Sequence, residues 1–179
     1  MDKSKQPNQD QIEMQLREDS RRILGKAVQA YLQALEINPN DASAYKNLGD
    51  LLVEQGNLEE AIQTYRQALE LDPNDASAYN NLGGALVGQG DLEESIRVYR
   101  QALELDPNDA DIYYNFGRVL IGQGDLEEAV QVYYQALKIN PNDADVYYYL
   151  GKALTGQEKL EVAIKAYAKA LEINPNLTV

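Results

Sequence analysis

The sequence predicts an all-α solenoid of stacked helical hairpins, and three observations lead to that class. Nearly the same words recur thirty-four residues apart: QGNLEEAIQTYRQALELDPNDA at Gln55–Ala76, QGDLEESIRVYRQALELDPNDA at Gln89–Ala110 and QGDLEEAVQVYYQALKINPNDA at Gln123–Ala144. A unit of this size cannot bury its apolar face alone, so successive copies must stack. Each copy also carries the start and stop signals of two helices. Finally, glycine returns at one mid-helix position, as Gly49, Gly83, Gly117 and Gly151. Glycine there costs about 1 kcal/mol against alanine, and a cost repeated in register marks close helix–helix approach.

Taken in order, residues 1–8 are polar, lack a helix cap and are expected to be disordered. From Gln9 to about Ile37 the pattern is helical, with Ile12, Leu16, Ile23, Leu24, Ala27, Val28, Tyr31 and Leu35 at helical spacings. Ala27, Tyr31, Ala34, Leu35 and Pro39 stand thirty-four residues before Ala61, Tyr65, Ala68, Leu69 and Pro73. Residues 9–41 therefore read as an N-terminal helix or degenerate half-repeat. Gly25 is the one breaker inside it and leaves one long helix or two open.

Four full repeats follow at 42–75, 76–109, 110–143 and 144–177. In the second, Asn74 or Asp75 caps a first helix over Ser77–Gln89. Gly90 can close that helix in the left-handed conformation. Asp91 then caps a second helix, with Glu94 as capping-box partner and carboxylates near the positive helix end. Asp106-Pro107 stops it. Between the helices, Ala68, Ala102, Ala136 and Ala170 read as small partners. Tyr45, Tyr79, Tyr113 and Tyr147, with Tyr65, Tyr99, Tyr133 and Tyr167, read as bulky knobs.

Composition narrows the function classes. Sixteen basic against 29 acidic residues give a net charge of −13. Nucleic acid and anionic membranes both ask for a basic footprint, so neither is expected as a partner. There is no cysteine and no histidine, which removes thiol nucleophiles, the commonest general base and the commonest zinc ligands. No catalytic residue, metal or cofactor is predicted. No secretory signal or apolar run of membrane-spanning length is present, so membrane insertion is not expected and the cytoplasm is the expected compartment.

The thirty-four-residue period, the Tyr45-x-x-Leu48-Gly49 opening, the Ala61/Tyr65/Ala68 ladder and the closing Pro73 together resemble tetratricopeptide repeats, over residues 20–177. The resemblance implies a right-handed superhelix whose first helices line a concave groove that binds extended peptides or helices of partner proteins. Three departures stand out. Ser95 replaces the ladder alanine, a mild change. Repeat four reads Gln157-Glu158-Lys159 where the others carry a turn glycine, which predicts a looser turn. The solvating helix with which the family usually ends is missing after Pro175. The flank that includes Leu154, Ile164 and Leu171 is then expected to lack a cover, either because the chain is a piece of a longer protein or because another copy covers it.

Oxygen-rich runs such as Asp106-x-Asn108-Asp109-x-Asp111 lack the central glycine and distal glutamate of calcium loops and read as caps and turns. The glycines between Gly83 and Gly90 lack the Lys-Ser/Thr of a phosphate loop. Family positions that face the groove offer more. The sixth position of each repeat reads Asn47, Asn81, Asn115, Tyr149, and such amides can hold a peptide backbone. This row resembles the asparagine ladder of the repeat arm in O-linked N-acetylglucosamine transferases, although asparagine is also common filler there. The fifth position reads Lys46, Asn80, Tyr114, Tyr148, and the ninth reads Asp50, Gly84, Arg118, Lys152. Tyrosines beside arginine have the chemistry of binding hot spots, against the alternative that they thicken the packing. The carboxylate clamp of chaperone-tail repeats is matched at Lys46 and Asn81. Asp50, Asp111 and Asn115 break it, and the aspartates would repel a C-terminal carboxylate.

The sequence therefore reads as a non-enzymatic protein–protein interaction scaffold with a protein or peptide partner in the groove. Two alternatives stand beside it: the non-catalytic recognition arm of a larger enzyme such as a glycosyltransferase, and a self-assembling homo-oligomer that uses the uncovered terminal hairpin.

Overall fold

A computed structural model describes residues 9–177 of the chain; the expectation for residues 1–8 lies outside them. The described residues form nine helices and no strand. They divide into two compact units, one ending at Asp72 and one beginning at Pro73.

The first unit holds α1 (Gln9–Ile37), α2 (Ala42–Glu54) and α3 (Leu58–Leu71). α2 and α3 pair as a hairpin and α1 packs on α2. α1 is continuous through Gly25, where an added methyl would meet nothing within 4 Å. Its apolar stripe is covered only toward its C-terminal end. Val28 and Leu35 are buried, whereas Ile12, Leu16 and Ile23 are 48%, 61% and 63% exposed.

The second unit holds three hairpins: α4 (Ala76–Gln89) with α5 (Leu92–Leu105), α6 (Ala110–Gln123) with α7 (Leu126–Ile139), and α8 (Ala144–Gly156) with α9 (Leu160–Ile173). Successive hairpins stack, α5 on α6 and α7 on α8, which brings the first helices α4, α6 and α8 side by side.

Local chemistry accounts for these ends. Asp75 accepts the Ala78 N–H, and Asp109 and Asp143 each accept two backbone N–H groups. Asp109 thus serves as a helix cap, in keeping with its reading as turn chemistry. Asp91 accepts from Glu94 at 3.0 Å. Gly90 and Gly124 close their helices with φ of 93°.

The turn of the fourth repeat departs from its prediction. It is as tight as the others: Lys159 N–H donates to the Leu154 carbonyl at 3.0 Å, as Asp91 N–H does to Leu86 at 2.9 Å. The backbone there adopts the glycine conformation without a glycine, with Glu158 at φ 61°. Two hydrogen bonds per turn outweigh a left-handed residue that costs about 1–2 kcal/mol.

The recurring mid-helix glycines have a definite partner, and it is a ring rather than the small alanines opposite. A methyl on Gly83 would lie 2.8 Å from Cζ of Tyr99, one on Gly117 2.5 Å from Cζ of Tyr133, and one on Gly151 2.7 Å from Cε1 of Tyr167. Each hairpin is locked by a tyrosine of its second helix lying flat on a glycine of its first. Tyr65, Tyr99 and Tyr133 are among the largest fully buried side chains. Ser95 is more than a mild substitution, because its buried hydroxyl donates to the Gly83 carbonyl at 2.9 Å. At the terminal hairpin, Ile164 and Leu171 are exposed as expected. Leu154 is not: it points into the core and is 2% exposed.

Candidate functional site

Helix stacking in the second unit places one face of α4, α6 and α8 together, and the fifth, sixth and ninth repeat positions stand on it. Asn80 and Asn81 lie on α4, Tyr114, Asn115 and Arg118 on α6, and Tyr148, Tyr149 and Lys152 on α8. The amides and tyrosines are half-buried, while Arg118 and Lys152 are exposed. Lys46 and Asn47 hold the same repeat positions on α2 in the first unit, also half-buried.

The ladder amides are not all free for a ligand. Asn115 donates one Nδ2 hydrogen to Oδ1 of Asn80 at 3.1 Å, which leaves its second hydrogen and its acceptor available. In the first unit Asp50 accepts the Tyr65 hydroxyl at 2.7 Å, so this break in the clamp pattern has a structural task. Burial, and then that bond to Asp50, raises the Tyr65 phenol above its ordinary value.

The tyrosines of α6 and α8 form one aromatic cluster. Tyr149 meets Tyr114 edge-on at 5.6 Å between centroids and Tyr148 edge-on at 5.3 Å, and stacks on Tyr133 at 6.3 Å. Two cations lie over it. The Arg118 guanidinium is 5.6 Å from the Tyr114 ring and 5.4 Å from that of Tyr149. The Lys152 ammonium is 5.8 Å from the Tyr148 ring and 5.2 Å from that of Tyr149. Tyr149 is thus shared by both cations, a geometry in which each contact contributes about 0.5–1 kcal/mol at an exposed site. Burial raises the Tyr114 phenol, with the Arg118 charge acting the other way.

Two residues that sequence reasoning assigned to packing also reach this face. Tyr133 has a hydroxyl that is buried without a hydrogen-bond partner. Its phenol is raised first by that burial and then by the neighbouring Tyr114 and Tyr149. Tyr99 lines a cavity of about 490 Å³ between α4, α6 and α8, together with Arg118, Tyr149 and Lys152. Burial pushes its phenol up to about 12, against the opposing Arg118 charge. The signal that could have found both is the ninth position of their own repeats. Where it is Asp50 the tyrosine hydroxyl is capped; where it is Gly84 or Arg118 no acceptor stands there.

A wider depression of about 870 Å³ lies at the α6–α7 turn, lined by Glu127, Glu128, Gln131 and Lys159. It gathers helix-start carboxylates and no aromatic side chain. Among the described residues no group of acidic side chains could hold a metal ion, and no helix is long and apolar enough to cross a membrane.

No curated protein matches the chain in sequence. Among solved structures, that of MamA is 27% identical, with a TM-score of 0.81 over 89% of this chain and 93% of the other. That of YrrB, described as a TPR protein with an unusual peptide-binding site, is 28% identical, with a TM-score of 0.75 over 88% and 81%. MamA from Desulfovibrio magneticus RS-1, at 20% identity, shares the fold, with a TM-score of 0.80 over 93% and 94%. Tetratricopeptide-repeat family models match residues 80–144 and 114–177, and related repeat models match 30–63 and 49–90. With its all-α hairpins stacked at a thirty-four-residue period, the chain belongs to the tetratricopeptide-repeat family.

Proposed function

We propose that the chain is a non-enzymatic scaffold that binds a peptide or helix of a partner protein on the face of α4, α6 and α8. The observation that carries this reading is the cluster of Tyr114, Tyr148 and Tyr149 beneath Arg118 and Lys152. Half-buried tyrosines present large contact area at low rotamer cost, and their hydroxyls suit a polar backbone. The free capacity of Asn115 adds a donor and an acceptor beside them. The peptide-binding site named for YrrB is consistent with this use of the fold.

Site-specific photo-crosslinking tests the reading. A benzophenone amino acid replaces Tyr148 in one preparation and Arg97, exposed on α5, in another, and each is incubated with lysate of the source cell. A discrete adduct from position 148, absent from position 97 and competed by wild-type chain, is expected. Equal adducts from both positions would move binding off this face.

A second reading is favoured by α9, where Leu160, Val162, Ile164 and Leu171 are 57%, 43%, 66% and 40% exposed. An apolar patch of that kind is suited to self-association through the C-terminal hairpin. Mass rising with concentration, and reduced by Ile164→Glu, is its expected signature. A strictly monomeric chain at high concentration would remove it.

A further inference from the structure

The cavity between α4, α6 and α8 has a lining that packing alone does not explain. Gly84 and Gly122 sit inside helices with ordinary backbone angles. Added methyls would meet the Tyr99 hydroxyl at 3.8 Å and Cδ1 of Leu92 at 3.9 Å, both ordinary contacts. Unlike Gly83 and Gly117, they are not required by a ring pressed against them. What their missing side chains do is keep the cavity open.

Its polar lining is rich in donors, from Tyr99, Arg118 and Lys152, with the Asn115 amide able to donate or accept beside them. Tyr99 is 2% exposed, its hydroxyl reaches the cavity, and it makes no hydrogen bond among the described residues. Arg118 and Lys152 stand at the same cavity. In a chain with 29 acidic and 16 basic residues, neither of these two has a carboxylate partner among the described residues. Both instead share the ring of Tyr149 at 5.4 and 5.2 Å. Two like charges on one ring beside the Tyr99 hydroxyl present the complement of a carboxylate. The remaining wall is apolar, from Val87, Leu92, Val119 and Ile121.

We propose that this cavity is the acidic subsite of the peptide face: an internal glutamate or aspartate of a bound segment enters it. Its carboxylate accepts from the Tyr99 hydroxyl, Arg118 and Lys152, and an aliphatic neighbour lies on the Val87–Ile121 wall. The proposal rests on the peptide-binding reading above and adds the chemistry of the partner. An internal residue fits better than a chain end because the surface continues on both sides of the cations. Tyr114 and Tyr148 stand one turn before Arg118 and Lys152 on α6 and α8, and Ile121 and Thr155 one turn after. Charged hydrogen bonds of this kind are stronger than neutral ones, so their loss is readable as a change in affinity.

The test is selection from a random peptide library displayed internally, flanked by folded domains so that no peptide carries a free end. The baits are the full wild-type chain, the double variant Arg118→Gln/Lys152→Gln, and Tyr148→Ala. Thermal melts that match wild type establish that the exposed-cation variant folds. Wild type is expected to enrich peptides with Glu or Asp next to an aliphatic residue. The leading peptide should bind at least about tenfold more weakly to the double variant, and likewise when its acid becomes Gln. Filling the cavity with Gly84→Leu should abolish its binding. Enriched peptides without an acidic preference that lose affinity on Tyr148→Ala would overturn the acidic subsite and leave the peptide face standing. No enrichment on any bait would overturn both. If the selected motif bound only as a synthetic peptide with a free C-terminal carboxylate, the internal assignment would fail.

Discussion

Gly117 and Gly122 lie five residues apart on α6, and alanine at the two should shift stability in opposite directions. Leaving neighbouring side chains aside, the substitution is the same at both: one methyl, and roughly 1 kcal/mol of helix propensity gained. At Gly122 the nearest atom to that methyl is 3.9 Å away, so the gain is kept and the variant should be stabilised by about 0.5–1 kcal/mol. At Gly117 the methyl falls 2.5, 2.7 and 3.0 Å from Cζ, Cε1 and Cε2 of Tyr133. Carbon atoms rest about 3.5–4.0 Å apart, so the ring would have to retreat by roughly 1 Å. It has nowhere to go, being fully buried with Tyr149 stacked on it. Overpacking of a closed core costs about 1–3 kcal/mol. With three ring atoms displaced the upper end applies, and the net loss after the propensity gain is about 2 kcal/mol. Urea and thermal melts followed by circular dichroism should separate the variants by about 3 kcal/mol, or on the order of 10 °C in Tm for a unit of this size. A Gly117→Ala chain as stable as wild type, or a destabilised Gly122→Ala chain, would refute the glycine–ring lock. Adding Tyr133→Phe should not rescue Gly117→Ala, because the clash is with ring carbons and not with the hydroxyl.

Other outcomes follow from the same geometry. Glu158→Gly relieves the left-handed residue of the last turn and should raise stability by roughly 0.5–1 kcal/mol, read from the urea midpoint; a loss would mean that the Glu158 side chain contributes more than its backbone costs. Removing tyrosine hydroxyls should have unequal effects. Tyr65→Phe loses the bond to Asp50 and should cost about 1–2 kcal/mol, whereas Tyr133→Phe removes a buried unpaired hydroxyl and should be neutral or stabilising. Equal costs in chemical denaturation would show that the Tyr133 hydroxyl has a partner in solution.

The comparison of these two tyrosines also shows where sequence reading stops. Both sit at one repeat position and both were legible as packing knobs, but whether the hydroxyl is capped depends on a residue fifteen positions away on another helix. Hairpin ends were legible because caps are local: Asp75, Asp91 and Gly90 act on backbone within four residues of themselves. Non-local matters were not. Leu154 was expected on an open flank, yet it points into the core. The turn at Glu158 was expected to loosen, yet neighbouring hydrogen bonds hold it. Asn115 read as a free rung, yet one of its hydrogens is committed to Asn80.

By itself, then, the sequence determined the repeat, its helices and the residue types on their faces, because period, capping and glycine placement act through short-range sterics and hydrogen bonds. Only the tertiary structure decided which groups meet across hairpins. It set the tyrosine rings on the glycines, gathered Tyr114, Tyr148 and Tyr149 under Arg118 and Lys152, and left the Tyr99 hydroxyl facing an open cavity. Those meetings depend on stacking distances between helices far apart in the chain, and no local rule carries that information.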